Sequence, residues 1–169
     1  CAEHMYQNLP QASRWKAIYN FANTDFLVPP TSGAQRNYLA FLGRIEDIKG
    51  TREAIDVALR SNESLVIAGN IPKEHAGYFE TEIAPLLDNV QIKYIGPVDD
   101  AQKKILLQGA KALLFPIKWA EPFGIVMAES LACGTPVIAF NIGSVPEVIQ
   151  NGINGFICQD AQEMVERIK

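Results

Sequence analysis

Six short apolar runs recur along this chain: YLAFLG (38–43), SLVIAG (64–69), VQIKYIG (90–96), ALLFP (112–116), PVIAF (136–140) and GFIC (155–158). Each has the length of a strand and stops at glycine, proline or a polar residue. Most are apolar nearly throughout, as strands are when both faces of their sheet are covered. Longer amphipathic segments alternate with them at 51–61, 74–87, 100–110, 123–132, 145–150 and 161–169. In the first of these, Ala54, Ile55, Ala58 and Leu59 fall at helical spacing. Strand and helix in regular alternation specify right-handed βαβ units. The expected fold is α/β: a Rossmann-like parallel sheet of about six strands flanked by helices.

A chain of 169 residues, 48% of them apolar, can bury a core without disulfides or metal. Its net charge of −4 argues against a nucleic-acid partner, whose footprint is a basic patch. Cys1, Cys133 and Cys158 are too few and too scattered for a disulfide framework or a zinc site, and suit a reducing cytosol. A cytoplasmic location is expected, with Cys133 as core at an apolar helix end. No apolar run reaches the length of a membrane span, and no signal-peptide pattern opens the chain. No G-x-G-x-x-G and no P-loop follows any strand, which counts against a nicotinamide dehydrogenase. The looser opening, with VPPTSGAQ (28–35) as a loop, and the closing helix at Lys169 lead us to expect a piece of a larger protein.

Ligands of open parallel α/β sheets bind outside the carboxyl ends of the strands, so the residues following each strand matter most. After the first run stand Gly43, Arg44 and Lys49. Gly43 permits a tight turn and close ligand approach. Arg44 and Lys49 read either as a pair converging on a diphosphate or as two solvated surface cations. After the third run, Val98 lies where backbone groups can line a base pocket. Asp99 and Asp100 read as a helix N-cap with a first-turn acid rather than a metal pair, and no metal is expected. After the fourth run comes EPFGIVMAES (121–130). Pro122 and Gly124 suit a helix start whose free amides and positive dipole end face the ligand. Glu129 follows Glu121 by eight positions, about 12 Å along the axis if the whole segment is helical. The two carboxylates can bracket a ligand with hydroxyls at both ends and a diphosphate between, or Glu121 can be a cap and Glu129 a solvated helix residue. Glu147 reads as a first-turn helix acid.

Three stretches, FLGRIEDIKG, EPFGIVMAESLACGTPVIA and GSVPEVIQNGINGF, resemble the carboxyl-terminal half of retaining glycosyltransferases of the GT-B fold, family 4. The likeness covers the chain from about AIYNFANTDFLVP onward, and the paired-glutamate motif matches in full. The resemblance implies that residues 1–20 are an interdomain tail, 21–169 a nucleotide-sugar donor domain, and that an amino-terminal acceptor domain is absent. It implies transfer of a hexosyl group, with retention, from a UDP- or GDP-sugar to an acceptor hydroxyl. The sugar nucleotide is substrate, and no cofactor or divalent metal is implied. Arg44 and Lys49 match the diphosphate-binding pair, Glu121 the donor-sugar contact and Glu129 the ribose contact. The amides of Phe123, Gly124 and Ile125 match the helix start that meets phosphate and sugar. Arg44, Lys49 and Glu121 would be the catalytic set. Any peripheral membrane contact would come through the acceptor half, and the piece alone should transfer little. Departures are IEDI between Arg44 and Lys49, where the family often has proline, and Phe21 in place of a glycine, which weakens a role for Asn20. A stand-alone nucleotide-sugar-binding module is the alternative reading.

Overall fold

The computed structural model describes residues 14, 16–31 and 35–169. Most of the expected tail, 1–20, lies outside them. The strands are β1 (Tyr38–Leu42), β2 (Leu65–Ala68), β3 (Ile92–Tyr94), β4 (Ala110–Phe115), β5 (Val137–Phe140) and β6 (Gly155–Cys158). They form one six-stranded sheet in the order β3-β2-β1-β4-β5-β6, every pair parallel. The helices are α1 (Thr51–Ser61), the single turn α2 (Ala76–Tyr78), α3 (Asp100–Gly109), α4 (Ile125–Ala132), the short α5 (Val145–Val148) and α6 (Ala161–Ile168).

Side chains alternate across a strand, and that alternation divides the interior into two cores. Leu39, Phe41, Leu65, Ile67, Ile92, Leu114 and Ile138 face one side, packed with Ile55 and Ala58 of α1 and Met164 and Val165 of α6. Ala40, Ala68, Leu113, Phe115, Val137 and Ala139 face the other, against Leu106 and Leu107 of α3, Met127 of α4 and Cys133. Both faces are covered, which is why the strands read as continuous apolar runs.

Three local expectations shift. In α1, Leu59 is 45% exposed and Val57 takes the buried place. The expected helix 74–87 breaks into a 3-10 turn (Lys73–His75), α2, a π turn (Phe79–Ile83) and a second 3-10 turn (Ala84–Leu86). Pro85 has no N–H for the helical ladder and its ring crowds the preceding turn, so a regular helix cannot run through it. The expected helix 123–132 begins at Ile125, because Gly124 takes the left-handed conformation at φ 70° and serves as its N-cap.

The strand order reverses at β1 and β4. From β1 the chain crosses through α1 to β2 on one side; from β4 it crosses through α4, on the opposite face, to β5. The crossovers leaving β1 and β4 pass to opposite faces, and the carboxyl edge at such a reversal is the usual ligand position in sheets of this kind.

Candidate functional site

The loop after β1 ends in the 3-10 turn Asp47–Lys49 and then Gly50. Gly50 sits at φ 77°, and a Cβ there would stand 1.9 Å from the Pro116 carbonyl oxygen. Only glycine lets the loop after β1 press this closely onto the end of β4. The Lys118 amide donates to the Ile48 carbonyl at 2.9 Å and locks the two loops together. Lys49, next to Gly50, is thereby delivered to the 119–121 segment. Its Nζ lies 2.5 Å from Glu121 Oε2, with both side chains about 15% exposed. The Trp119 indole N–H donates to the same oxygen at 3.1 Å. Lys49 Nζ also stands 4.9 Å from the centre of the Trp119 ring, a cation–π distance.

Glu121 therefore lies before the helix, not on it, and the 12 Å axial separation expected for an unbroken helix does not describe the pair. The Ser144 amide donates to the Glu121 carbonyl at 3.2 Å, so the loop after β5 fixes its backbone. Phe123 is buried and Gly124 caps α4. No hydrogen bond runs from the Phe123, Gly124 or Ile125 amide to a backbone carbonyl among the described residues. These N–H groups lie at the start of an eight-residue helix, where partial positive charge collects.

Glu129 is on α4, with Lys103 Nζ of α3 2.5 Å from its Oε1. Lys103 also reaches Asp100 at 2.9 Å. Burial opposes the Lys103 charge, but the hydrogen bonds to Glu129 and Asp100 outweigh it and hold its pKa above the ordinary lysine value. Glu129, Lys103, Asp100 and Ile125 line a cleft of about 320 Å³ closed on its other side by Phe21, Ala22, Asn23, Phe26 and Leu27. The segment around the departing Phe21 thus forms a wall of this cleft. Val98 lies elsewhere, lining a separate apolar groove with Val66, Ile95 and Ile105.

Gly43 ends β1, its amide bonded to the Ala68 carbonyl at 3.1 Å. Arg44 is 55% exposed, and its Nε lies 2.7 Å from Glu46 Oε1. Glu46 is itself 3% exposed, with His75 Nε2 3.8 Å from its other oxygen. Asp99 is the N-cap of α3 in a reciprocal capping box with Gln102. Glu147 is in the first turn of α5 and accepts a hydrogen bond from the Tyr19 hydroxyl at 2.9 Å. Among the described residues no group of three or more His, Cys, Asp or Glu side chains is placed to hold a metal ion. Among the same residues, no helix is long and apolar enough to cross a membrane.

The family model of glycosyl transferases group 1 matches residues 27–169. The chain belongs to the group 1 glycosyltransferases. This glycosyltransferase chain is 31% identical over 132 residues to a glycogen synthase of Mycobacterium tuberculosis, covering 71% of this chain and 30% of that protein. Its fold superposes on the Anabaena protein HepE, solved with UDP and glucose, with a TM-score of 0.81 at 24% identity over 96% of this chain and 48% of that one. It also superposes on the carboxyl-terminal domain of a Francisella tularensis glycosyl transferase group 1 protein, LpcC, with a TM-score of 0.72 at 21% identity over 87% and 85% of the two chains. The chain spans less than half the length of the curated relatives it matches.

In this glycosyltransferase chain the structure brings Lys49 to Glu121, and sets Glu129 on the cleft beside α4. It leaves Arg44 on Glu46 and Val98 on another groove. Sequence reasoning missed Glu46, Lys103 and Trp119. Lys103 is four positions after the N-cap Asp99 on a helix otherwise read for capping alone. Trp119 stands two residues before Glu121, a spacing with no meaning until the backbone turns there, Glu121 N–H to Trp119 carbonyl at 2.8 Å.

Proposed function

We propose that this chain is the donor-binding, carboxyl-terminal half of a retaining family 4 glycosyltransferase, acting with an amino-terminal acceptor half to move a hexosyl group from a UDP- or GDP-sugar to an acceptor hydroxyl. The observation that carries this reading is the meeting of Lys49 and Glu121 at the strand-order reversal, next to the open amides of α4. Family membership and the match to a carboxyl-terminal domain support it. The complex of HepE with UDP and glucose makes UDP the first nucleotide to try.

The donor's diphosphate lies against Lys49, Arg44 and the amides of Phe123, Gly124 and Ile125. As the glycosidic bond to the diphosphate breaks, negative charge grows on the leaving group. Fixed cations and oriented N–H groups stabilise that charge without reorganising. Glu121 accepts hydrogen bonds from hydroxyls of the transferred sugar, and Glu129 from the ribose. Gly43 gives the donor room. On donor arrival Lys49 turns from Glu121 toward the diphosphate, freeing the carboxylate for the sugar. No resident nucleophile is proposed. The sparse, buried thiols of Cys133 and Cys158 support a cytoplasmic setting.

Calorimetric titration of the chain with UDP, GDP and ADP tests the reading. One nucleoside diphosphate should bind saturably, and Glu129→Ala should weaken it by about 1–3 kcal/mol, the worth of hydrogen bonds to a charged group. Binding that Glu129→Ala leaves unchanged would remove the ribose role. A chain that binds none of the three, alone or joined to its acceptor half, overturns the donor-site reading.

A further inference from the structure

We infer that Trp119 is a positioning residue of the donor site: its indole N–H holds Glu121 in place when Lys49 turns to the diphosphate. This rests on the donor-site reading above. Both partners of Glu121 fall on one oxygen. Lys49 Nζ and the Trp119 indole N–H both meet Oε2, at 2.5 Å and 3.1 Å. Oε1 accepts no hydrogen bond among the described residues. The carboxylate is therefore gripped at one end and open at the other.

Losing the lysine would leave a mostly buried carboxylate with little to fix its torsions, and such a group recaptures its counter-ion or swings toward water. The indole prevents both. Its N–H keeps Oε2 occupied and so keeps Oε1 available to the sugar hydroxyls. Its ring face lies 4.9 Å from Lys49 Nζ. The cation can thus slide along a surface that already attracts it, rather than cross bare solvent. Trp119 can serve in this way because its own backbone is anchored. Lys118 N–H bonds the Ile48 carbonyl at 2.9 Å, Glu121 N–H the Trp119 carbonyl at 2.8 Å, and Ser144 N–H the Glu121 carbonyl at 3.2 Å. One side chain touches both members of the pair and belongs to neither the paired-glutamate motif nor the cation pair.

Trp119→Phe tests this, because it keeps a six-membered aromatic ring for the cation and removes the N–H with the rest of the indole. Affinities for UDP, GDP, UDP-glucose, UDP-galactose and GDP-mannose are measured on wild type and variant, with thermal unfolding as the control. Trp119→Phe should hold the affinity for the bare diphosphate within about twofold. It should lower the affinity for the preferred sugar nucleotide about tenfold, the scale of a hydrogen bond to a carboxylate. A chain carrying benzothienylalanine at 119, isosteric with tryptophan but without the N–H, should behave the same way and serves if the phenylalanine variant is unstable. Equal loss for diphosphate and sugar nucleotide would mean a purely structural ring, and no loss for either an idle N–H; each overturns the positioning role alone. A wild type in which no sugar nucleotide binds more tightly than its diphosphate also overturns it. Binding indifferent to Lys49→Ala, or absent altogether, overturns the donor-site reading and this role with it.

Discussion

At the scale of single residues, each glutamate of the pair is held by a lysine that lies far from it in sequence. Lys49 grips Glu121 and Lys103 grips Glu129, and all four side chains are between 14% and 19% exposed. A carboxylate this far out of water needs a partner, so the lysines set where the acids point. Lys49→Ala should weaken UDP and UDP-sugar alike, by about 1.5–3 kcal/mol for a charged contact with the diphosphate. Loss confined to the sugar form, read by titration calorimetry, would contradict the diphosphate assignment. Lys103→Met should leave Glu129 without its cation and cost about 1 kcal/mol of stability in urea denaturation. The pH dependence follows from the raised pKa of Lys103. Its contribution is fully present below the ordinary lysine value of 10.5 and is lost as pH rises through the higher folded value. Wild type should therefore lose its advantage over Lys103→Met only above pH 10.5. An advantage that faded near neutral pH would assign the stability to another group.

Individual elements meet the site through their ends. The capping box at Asp99 starts α3 so that Lys103, one turn on, faces α4. Gly124 starts α4 as its N-cap, and Gly50 lets the loop after β1 lie against the end of β4. Gly50→Ala combines a positive φ with a Cβ 1.9 Å from a backbone oxygen, so the backbone must move. It should destabilise the chain by about 1–3 kcal/mol and weaken nucleotide binding, because Lys49 moves with the loop. A variant that unfolds earlier in urea but binds UDP like wild type would show that the loop's register does not set Lys49.

The whole molecule is a sheet with a core on each face, and the candidate site sits where the two halves of the chain part. A ligand held there reinforces the existing tie between the loops after β1 and β4, which belong to opposite cores, and so should stabilise the entire fold. At a hundred times its Kd, UDP should add about 2.7 kcal/mol. For a chain of this length that is a rise in Tm of about 5–10 °C, read by differential scanning fluorimetry. Wild type without any rise, in UDP or GDP, would contradict the donor site.

The sequence by itself determined the layers: six apolar runs whose strands are buried on both faces, separated by amphipathic helices, leave a parallel α/β sheet as the arrangement that covers them. It also placed the candidate site residues at strand ends, since Arg44, Lys49 and Glu121 all follow apolar runs. Local rules sufficed there because burial and capping act over a few residues, as at Asp99. Other features were out of reach. Leu59 and Val57 exchanged places because burial depends on what α1 faces, not on its spacing alone. The start of α4 moved to Ile125 because Gly124 took a left-handed turn. Tertiary structure alone decided that Lys49 meets Glu121, 72 residues away, with Trp119 touching both, and that Lys103 meets Glu129 across 26. Those partners come from different elements, and a pairing made by folding two loops or two helices together leaves no periodicity in either one.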